Sequence, residues 1–525
     1  MKRTFILILI VVVALVGLYF LPQLCVFGVD LRKVDILADV RPLVWNDSVE
    51  CMAEDGDDVE AEEYDEYLAA YVDSVPDGMI VIEDFRDSLM RHREMDSFYK
   101  ALRDVNKRVV RIAYFGDSFI EGDIFTANLR EMLQEKFGGK GVGFIDIHSA
   151  VSGFRTTVRE NSSGWRDYSV VDKNHGFNSK LQGLNSRYYV PEGNSARICV
   201  EGQRRVFPEH LDTVTTAILY YTPGRELEMQ AKVNDEPVKV VYGKKSVPVA
   251  KRKPALGNAD GKVGKKVDSK NIKKDVAMAD SCADSCMIAA SNTDSILSPF
   301  RVHTAIIKGR IGRLTVDVKG EGRFYGLALE NGKGIVVDNF SMRGSRGWHL
   351  GSIPTETLKA FSQLRDYDLI IMHYGLNMVS PSDQGYRAYC NKFKKGIHRF
   401  REAYPNTSLL IVSVSNRDQR GANGRFETMK GLTGLVKAQR QMAKEEHIAF
   451  WNLQQAMGGS GSTYRMQQAG QANRDYTHIN FKGGAVLGKI FYDVLMNGKM
   501  NYDKRVARRG RRSGEVKSQK ALSEK

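Results

Sequence analysis

Apolar residues between positions 83 and 106 recur at helical spacing, through Phe85, Leu89, Met95, Phe98, Tyr99 and Leu102. That spacing predicts a helix with one buried stripe. The pattern then changes. Residues 107–115 are β-rich and run directly into Gly116-Asp117-Ser118, after which Phe125, Leu129, Met132 and Leu133 restore helical periodicity over 123–137. Strand, tight turn and helix are predicted in that order. From about 151 to 331 short alternating segments dominate, such as 215–221, 238–242 and 314–318, separated by turn residues. They predict a β-sandwich or jelly roll. Beyond Gly332 strand candidates at 334–337, 368–373, 408–414 and 448–453 alternate with helical segments at 354–364, 383–403, 425–446 and 482–496. Strands alternating with helices imply a parallel sheet covered on both faces. The simplest assembly joins 83–150 to 332–498 as one α/β domain, with the β-rich segment 151–331 inserted in it.

The first residues follow a different rule. Lys2 and Arg3 precede an uncharged apolar run over 5–21, and the chain stays mostly apolar as far as Val29. About 20 such residues cross the hydrocarbon core, whereas a signal-peptide core is about 7–15 long and ends at a small-residue cleavage site. No such site is present at Leu24-Cys25-Val26-Phe27. Residues 1–29 are therefore expected to form an uncleaved signal anchor, a transmembrane helix in the inner membrane; a cleaved signal peptide is the alternative. Lys2 and Arg3 keep the N-terminus inside and send the body across, to the periplasm or the exterior. Residues 30–82 carry few apolar clusters and 11 carboxylates without Lys or Arg over 47–66, so they are expected to be an acidic linker.

Charge adds a second test. The formal net charge is +14, but residues 244–274 hold 11 Lys/Arg against 2 Asp/Glu, and residues 499–525 hold 10 against 3. These two stretches account for the basicity and leave the remaining chain close to neutral. They are expected to be disordered, one within an insert at 244–296 and one as a C-terminal tail, and no nucleic-acid partner is expected. The six cysteines are too few for a disulfide scaffold, and Cys282 and Cys286 lack the neighbours of a zinc site.

Four points in the chain fall at or near carboxyl ends of predicted strands, where doubly wound sheets bind ligands. Ser118 follows the first strand, Gly344 lies in the loop after the strand at 334–337, Asn377 follows the strand at 368–373, and Asp475-Tyr476-Thr477-His478 precedes the last helix. Together they meet the needs of acyl transfer. Ser118 is a hydroxyl nucleophile that needs a base. His478 can remove its proton, and Asp475 can fix the imidazole tautomer. The backbone N–H groups of Ser118 and Gly344 and the amide of Asn377 can stabilise an oxyanion. Taken singly, each has a plainer reading: Asp117, Ser118, Asp475 and His478 as helix caps, and Asn377 as a turn residue. His373 reads as a structural histidine, Trp348 and His349 as cleft or surface residues, and Arg343 and Arg346 as surface arginines that could meet an anionic polymer.

With these four blocks in order, the sequence resembles the SGNH (GDSL-type) hydrolases. Gly116-Asp117-Ser118 matches the nucleophile block, Gly344 the oxyanion glycine, Gly375-x-Asn377 the oxyanion asparagine block and Asp475-x-x-His478 the closing block. Phe119 replaces the leucine of the family's name motif, and Ser341 stands where related sequences often have a further glycine. The resemblance implies a three-layer α/β/α flavodoxin-like domain and a serine esterase without cofactor or metal. The β insertion and the N-terminal anchor further resemble the bacterial peptidoglycan O-acetylesterases. They imply an extracytoplasmic esterase that removes O-acetyl groups from a cell-envelope glycan. A glycan O-acetyltransferase with the same catalytic set and a non-catalytic glycan-binding protein are the alternatives.

Overall fold

The computed structural model describes residues 73–523, apart from 86–92, 150, 173–175, 247–300, 383–384 and 422–423, together with Cys25–Val26 and Val29–Asp30. The chain divides into two units, 1–70 and 71–525. In the first, Cys25–Val26 pairs antiparallel with Val29–Asp30. Of the expected anchor only Cys25, Val26 and Val29 fall among the described residues, in this strand pair; residues 1–24 and 27–28 lie outside them. Among the described residues no helix is long and apolar enough to cross a membrane.

In the second unit the β-rich stretch after residue 107 becomes strand β2 (Val109–Gly116), preceded by β1 (Glu83–Asp84) and helix α1 (Asp96–Ala101) and followed by helix α2 (Thr126–Phe137). Among the described residues twelve further strands, β3 (Gly143–Ile145) to β14 (Gly322–Glu330), separate α2 from β15 (Gly334–Ser341). Then come α3 (Thr355–Ser362), β16 (Leu369–His373), α4 (Arg387–Ala403), β17 (Ser408–Val412), the hairpin β18–β19 (Asp418–Arg420, Phe426–Thr428) and α5 (Gly431–Glu445). The chain closes with β20 (Ala449–Trp451), α6 (Leu453–Ala456), α7 (Ser462–Gln468) and α8 (Phe481–Ser523).

The central sheet has the order β15-β2-β16-β17-β20-β1, with the first five strands parallel and β1 antiparallel at the edge. Counted among themselves, the five parallel strands follow the flavodoxin order 2-1-3-4-5, which reverses direction beside β2. The apolar run of each strand, such as Leu369 to Met372, is buried throughout because helices cover both faces. Helix α2 packs on α8, and α4 packs on α3 and α5. Register matters most at the carboxyl edge: Gly116 lies level with Ser341 on one side and His373 on the other. Three loops thus leave the sheet side by side.

The β-rich segment forms two antiparallel sheets, one built on β8 (Val214–Pro223) and β14 and the other on β7 (Ser195–Gly202) and β13 (Arg313–Lys319). Alternation along β8 explains how it attaches. Ala217, Leu219 and Tyr221 face the core between the sheets, while Ile218 and Tyr220 pack against the α/β core. Arg365, with no exposed surface, holds the two parts together. It donates to Asp338 of β15 at 2.6 and 2.7 Å and to Glu330 of β14 at 2.9 Å. Asp338 also accepts the Phe144 N–H at 2.8 Å.

Several expectations are corrected. Residues 83–84 pair with Ala449 and Phe450 rather than starting a helix, because the edge of the parallel sheet offers unpaired backbone groups. Residues 73–82, the end of the expected linker, lie on the body: Asn501 holds Ser74, and the Trp451 indole donates to Ile80. The expected basic tail from 499 continues α8 instead, since Tyr502 packs on Tyr99 and Arg505 pairs with Asp73 and Asp96. Lys244 and Lys245, placed in the expected disordered insert, belong to a strand over Val241–Lys245; residues 247–296, with Cys282 and Cys286, lie outside the described residues. The helix expected from 425 starts at Gly431, because Phe426–Thr428 pairs with Asp418–Arg420.

Burial alone would raise the Glu330 carboxyl, but Arg365 and Arg111 outweigh it and hold it at about 2. A carboxylate depressed in this way stabilises the fold above the ordinary glutamate range, near 4.3, and loses that contribution as pH falls toward 2. Arg365→Met should therefore cost about 3–5 kcal/mol at neutral pH, because it leaves the buried Asp338 without its cation and Glu330 with Arg111 alone. It should also flatten the loss of stability below about pH 4. Denaturant unfolding of both proteins across pH 2–7 measures both effects.

Candidate active site

Ser118 leaves the carboxyl end of β2 at the point where the strand order reverses. Its Oγ lies 3.0 Å from Nε2 of His478, whose Nδ1 lies 2.7 Å from Oδ2 of Asp475. The tautomer that fits both contacts has Nδ1–H donating to the carboxylate and Nε2 accepting from the serine hydroxyl. The structure thus brings together a hydroxyl, an imidazole and a carboxylate that are spread over 360 positions of chain. Burial raises the Asp475 carboxyl, but hydrogen bonds from His478 and from the N–H groups of His478 and Thr477 leave it below its ordinary value.

The closing block is not a helix cap. Asn480 takes that role, its Oδ1 accepting the N–H groups of Lys482 and Gly483 at the start of α8. Residues 472–479 instead form a hairpin, closed by the Ala472–Ile479 bridge and by Asn473 N–H donating to His478 O at 2.8 Å. Tyr476 sits at its tip with φ of 52° and packs its ring on Phe426, with centroids 4.2 Å apart. The β18–β19 hairpin that displaced the expected helix therefore holds the His478 loop.

Asp117 and Ser118 do not cap α2, which begins eight residues later at Thr126. Asp117 is buried and accepts the N–H groups of Phe119, Gly375 and Leu376; burial nonetheless raises its carboxyl to about 6. It ties the nucleophile turn to the asparagine block. Gly375 makes that approach possible, because a Cβ there would sit 2.7 Å from Cβ of Val414. Asn377 donates one amide hydrogen to Ser345 O at 2.8 Å, which leaves the other for a ligand. Gly344 has φ of 75°, a left-handed conformation, in a loop secured by Met342 N–H on Gly116 O at 2.9 Å.

Ser118, Gly344, Asn377, Asp475 and His478 line one cleft of about 480 Å³. The other candidates lie elsewhere. His373 is buried, its Nδ1 3.2 Å from the Tyr114 hydroxyl, and burial lowers its imidazole to about 3. His349 is buried against Ser345 at 2.8 Å, and Trp348 lies beneath Arg346 and Lys392. Arg343 does reach the cleft, paired with Glu121 through Nε at 2.9 Å. Sequence reading missed Glu121, Phe154 and Asn473, which complete the cleft walls. It also missed Asp123, the buried partner of Arg130 and Arg155. The only local signal for Asp123 was a charge inside the turn ahead of an apolar helix.

No family model and no curated protein sequence matches the chain. Among solved structures, a peptidoglycan O-acetylesterase matches with a TM-score of 0.56 and 19% identity, over 80% of this chain and 99% of that one. A two-domain esterase active on acetylated mannans matches over 31% of this chain and 40% of that one, at 13% identity and a TM-score of 0.22. A family two carbohydrate esterase from Cellvibrio japonicus matches over 66% and 99%, at 9% identity and a TM-score of 0.22. In fold, the chain resembles a solved peptidoglycan O-acetylesterase over 99% of that chain.

Proposed function

We propose that this protein is a serine esterase that removes O-acetyl groups from a cell-envelope glycan such as peptidoglycan. The observation that carries the esterase reading is the continuous hydrogen-bonded line from Ser118 through His478 to Asp475, opening into one cleft with Gly344 and Asn377. Support for an acetylated glycan comes from the shared fold with the solved O-acetylesterase and from the N-terminal apolar run. In this reading residues 1–29 anchor the protein in the inner membrane with its body in the periplasm or outside.

The steps follow from the geometry. Ser118 Oγ attacks the ester carbonyl while His478 Nε2 takes its proton, and Asp475 stabilises the resulting imidazolium. The oxyanion is met by the free amide hydrogen of Asn377 and by the N–H groups of Gly344 and Ser118. Collapse breaks the bond to the sugar oxygen, which leaves with the proton from His478, and the acetyl group stays on Ser118. Water, deprotonated by His478, then releases acetate and restores the hydroxyl. The His478 side chain is 38% exposed, so water can reach it as the acceptor.

Three outcomes are expected. Ser118→Ala should abolish hydrolysis of p-nitrophenyl acetate with the melting temperature unchanged, and a fluorophosphonate should label the wild type at Ser118 alone. Retained activity would sink the reading. Asn377→Ala should lower kcat by about 10²–10³ with little change in KM, because an oxyanion donor acts mainly in the transition state; steady-state kinetics separates the two. Asp475→Asn should cut kcat by up to about 10⁴ through the wrong tautomer. Steady-state kinetics of the variant measures the loss.

A further inference from the structure

A second cleft, of about 400 Å³, adjoins the first and shares with it only Glu121 and Arg343. Its lining comes on one side from the α/β body, at Gly122 and Asn339, and on the other from Asp146 and from the β-rich segment, at Asp167, Ser169 and Arg187. The volume falls within the usual range of small-molecule sites, about 300–1,000 Å³. The catalytic mechanism above uses none of these residues.

The chemistry of the wall selects its ligand. Every guanidinium on it is already engaged: Arg343 by Glu121, Arg155 by Asp123 and Glu160, and Arg187 by Asp167 at 3.5 Å and Asp146 at 3.8 Å. Among the described residues an anion would find no unpaired arginine on this wall, and a cation would meet those same arginines. Acceptors, by contrast, are left over. Ser169 is only 5% exposed, yet its Oγ has no hydrogen-bond partner, and neither has the buried Oδ1 of Asp167. Buried polar atoms of this kind are normally satisfied, so the pair points to a ligand that brings hydroxyl donors of its own. A neutral polyhydroxyl compound fits, and an apolar acyl chain does not. At the adjoining cleft the partly exposed Phe154 ring, packed on Phe481, offers a flat face of the type sugars lie against.

We propose that this second cleft is a sugar subsite, which holds a neighbouring residue of the glycan while the esterified residue lies at Ser118. The proposal rests on the glycan reading of the active site. The Glu121–Arg343 pair then marks the boundary between the two sugars, and the β-rich segment contributes directly to substrate selection.

The test uses N-acetylglucosamine oligomers of one to six sugars, each carrying one O-acetyl ester, with the full protein. In the wild type, kcat/KM should rise at least tenfold from the monosaccharide to the tetrasaccharide. Asp167→Asn, which preserves shape, and Val171→Trp, which fills the cleft from a position 41% exposed, should each bring that ratio close to one. A flat length dependence in the wild type overturns the subsite, as does a ratio that both variants leave intact while melting like the wild type. If Asp167→Asn fails to fold, Val171→Trp decides. If the wild type hydrolyses none of the esters, the esterase reading has failed, and calorimetry with unesterified tetra-N-acetylchitotetraose decides the subsite alone. Binding to the wild type that Val171→Trp abolishes supports it, and no binding overturns it.

Discussion

Asp123 places a carboxylate at a point with no solvent access, and the charge persists there because five residues converge on it. Arg130 and Arg155 supply opposite charge, while Thr126, Thr157 and Asn339 supply further donors. Burial alone would raise this carboxyl, but the two guanidiniums hold it far below the ordinary range. Removing an ion from water costs several kcal/mol unless its partners are all in place, so the arrangement is nearly all-or-none. Its members come from different parts of the molecule: the nucleophile turn, α2, the first loop of the β-rich segment and the end of β15. One satisfied charge thus fixes the relative position of the serine, the oxyanion glycine loop and the inserted sheets.

The same economy of position operates at the carboxyl edge of the central sheet. Gly116, Ser341 and His373 are level neighbours, so the loops that follow them emerge together. Backbone N–H groups bound by Asp117, and the Asn377 amide bound by Ser345, set all three of these loops in a fixed relation. Donors held in place in advance need no reorganisation when charge develops nearby, which is the main electrostatic advantage of a preorganised site over water. A fourth element, His478, arrives from the far end of the chain on a hairpin stiffened by the Phe426–Tyr476 and Phe426–Tyr464 contacts.

Electrostatics also separates the histidines by task. His373 and His349 are enclosed by aromatic and backbone groups, and burial lowers each to about 3, so neither becomes charged in the range where life operates. His478 remains partly exposed and contacts a carboxylate, the setting in which a base can gain and return a proton. A histidine at a strand end is thus no guide to chemistry until its surroundings are known.

The local patterns of this chain determined much of the molecule. Buried parallel strands declare themselves as short apolar runs, so the α/β fold was legible, and the residues singled out at the carboxyl ends of those runs, Ser118, Gly344, Asn377, Asp475 and His478, line one cleft in the structure. Period-2 alternation likewise announced the β-rich segment. Other features depended on contacts between residues far apart in sequence. Glu83–Asp84 became a strand because an open sheet edge lay beside it, and the basic stretch after 499 became helix where Tyr502 and Arg505 met Tyr99, Asp73 and Asp96. No local pattern separates Asp123 or Arg365, buried and charged, from a surface Asp or Arg, because burial is a property of the assembled fold. The second cleft exists only where the β-rich segment meets the switch point, and its unsatisfied Ser169 and Asp167 became visible only when tertiary structure removed them from water.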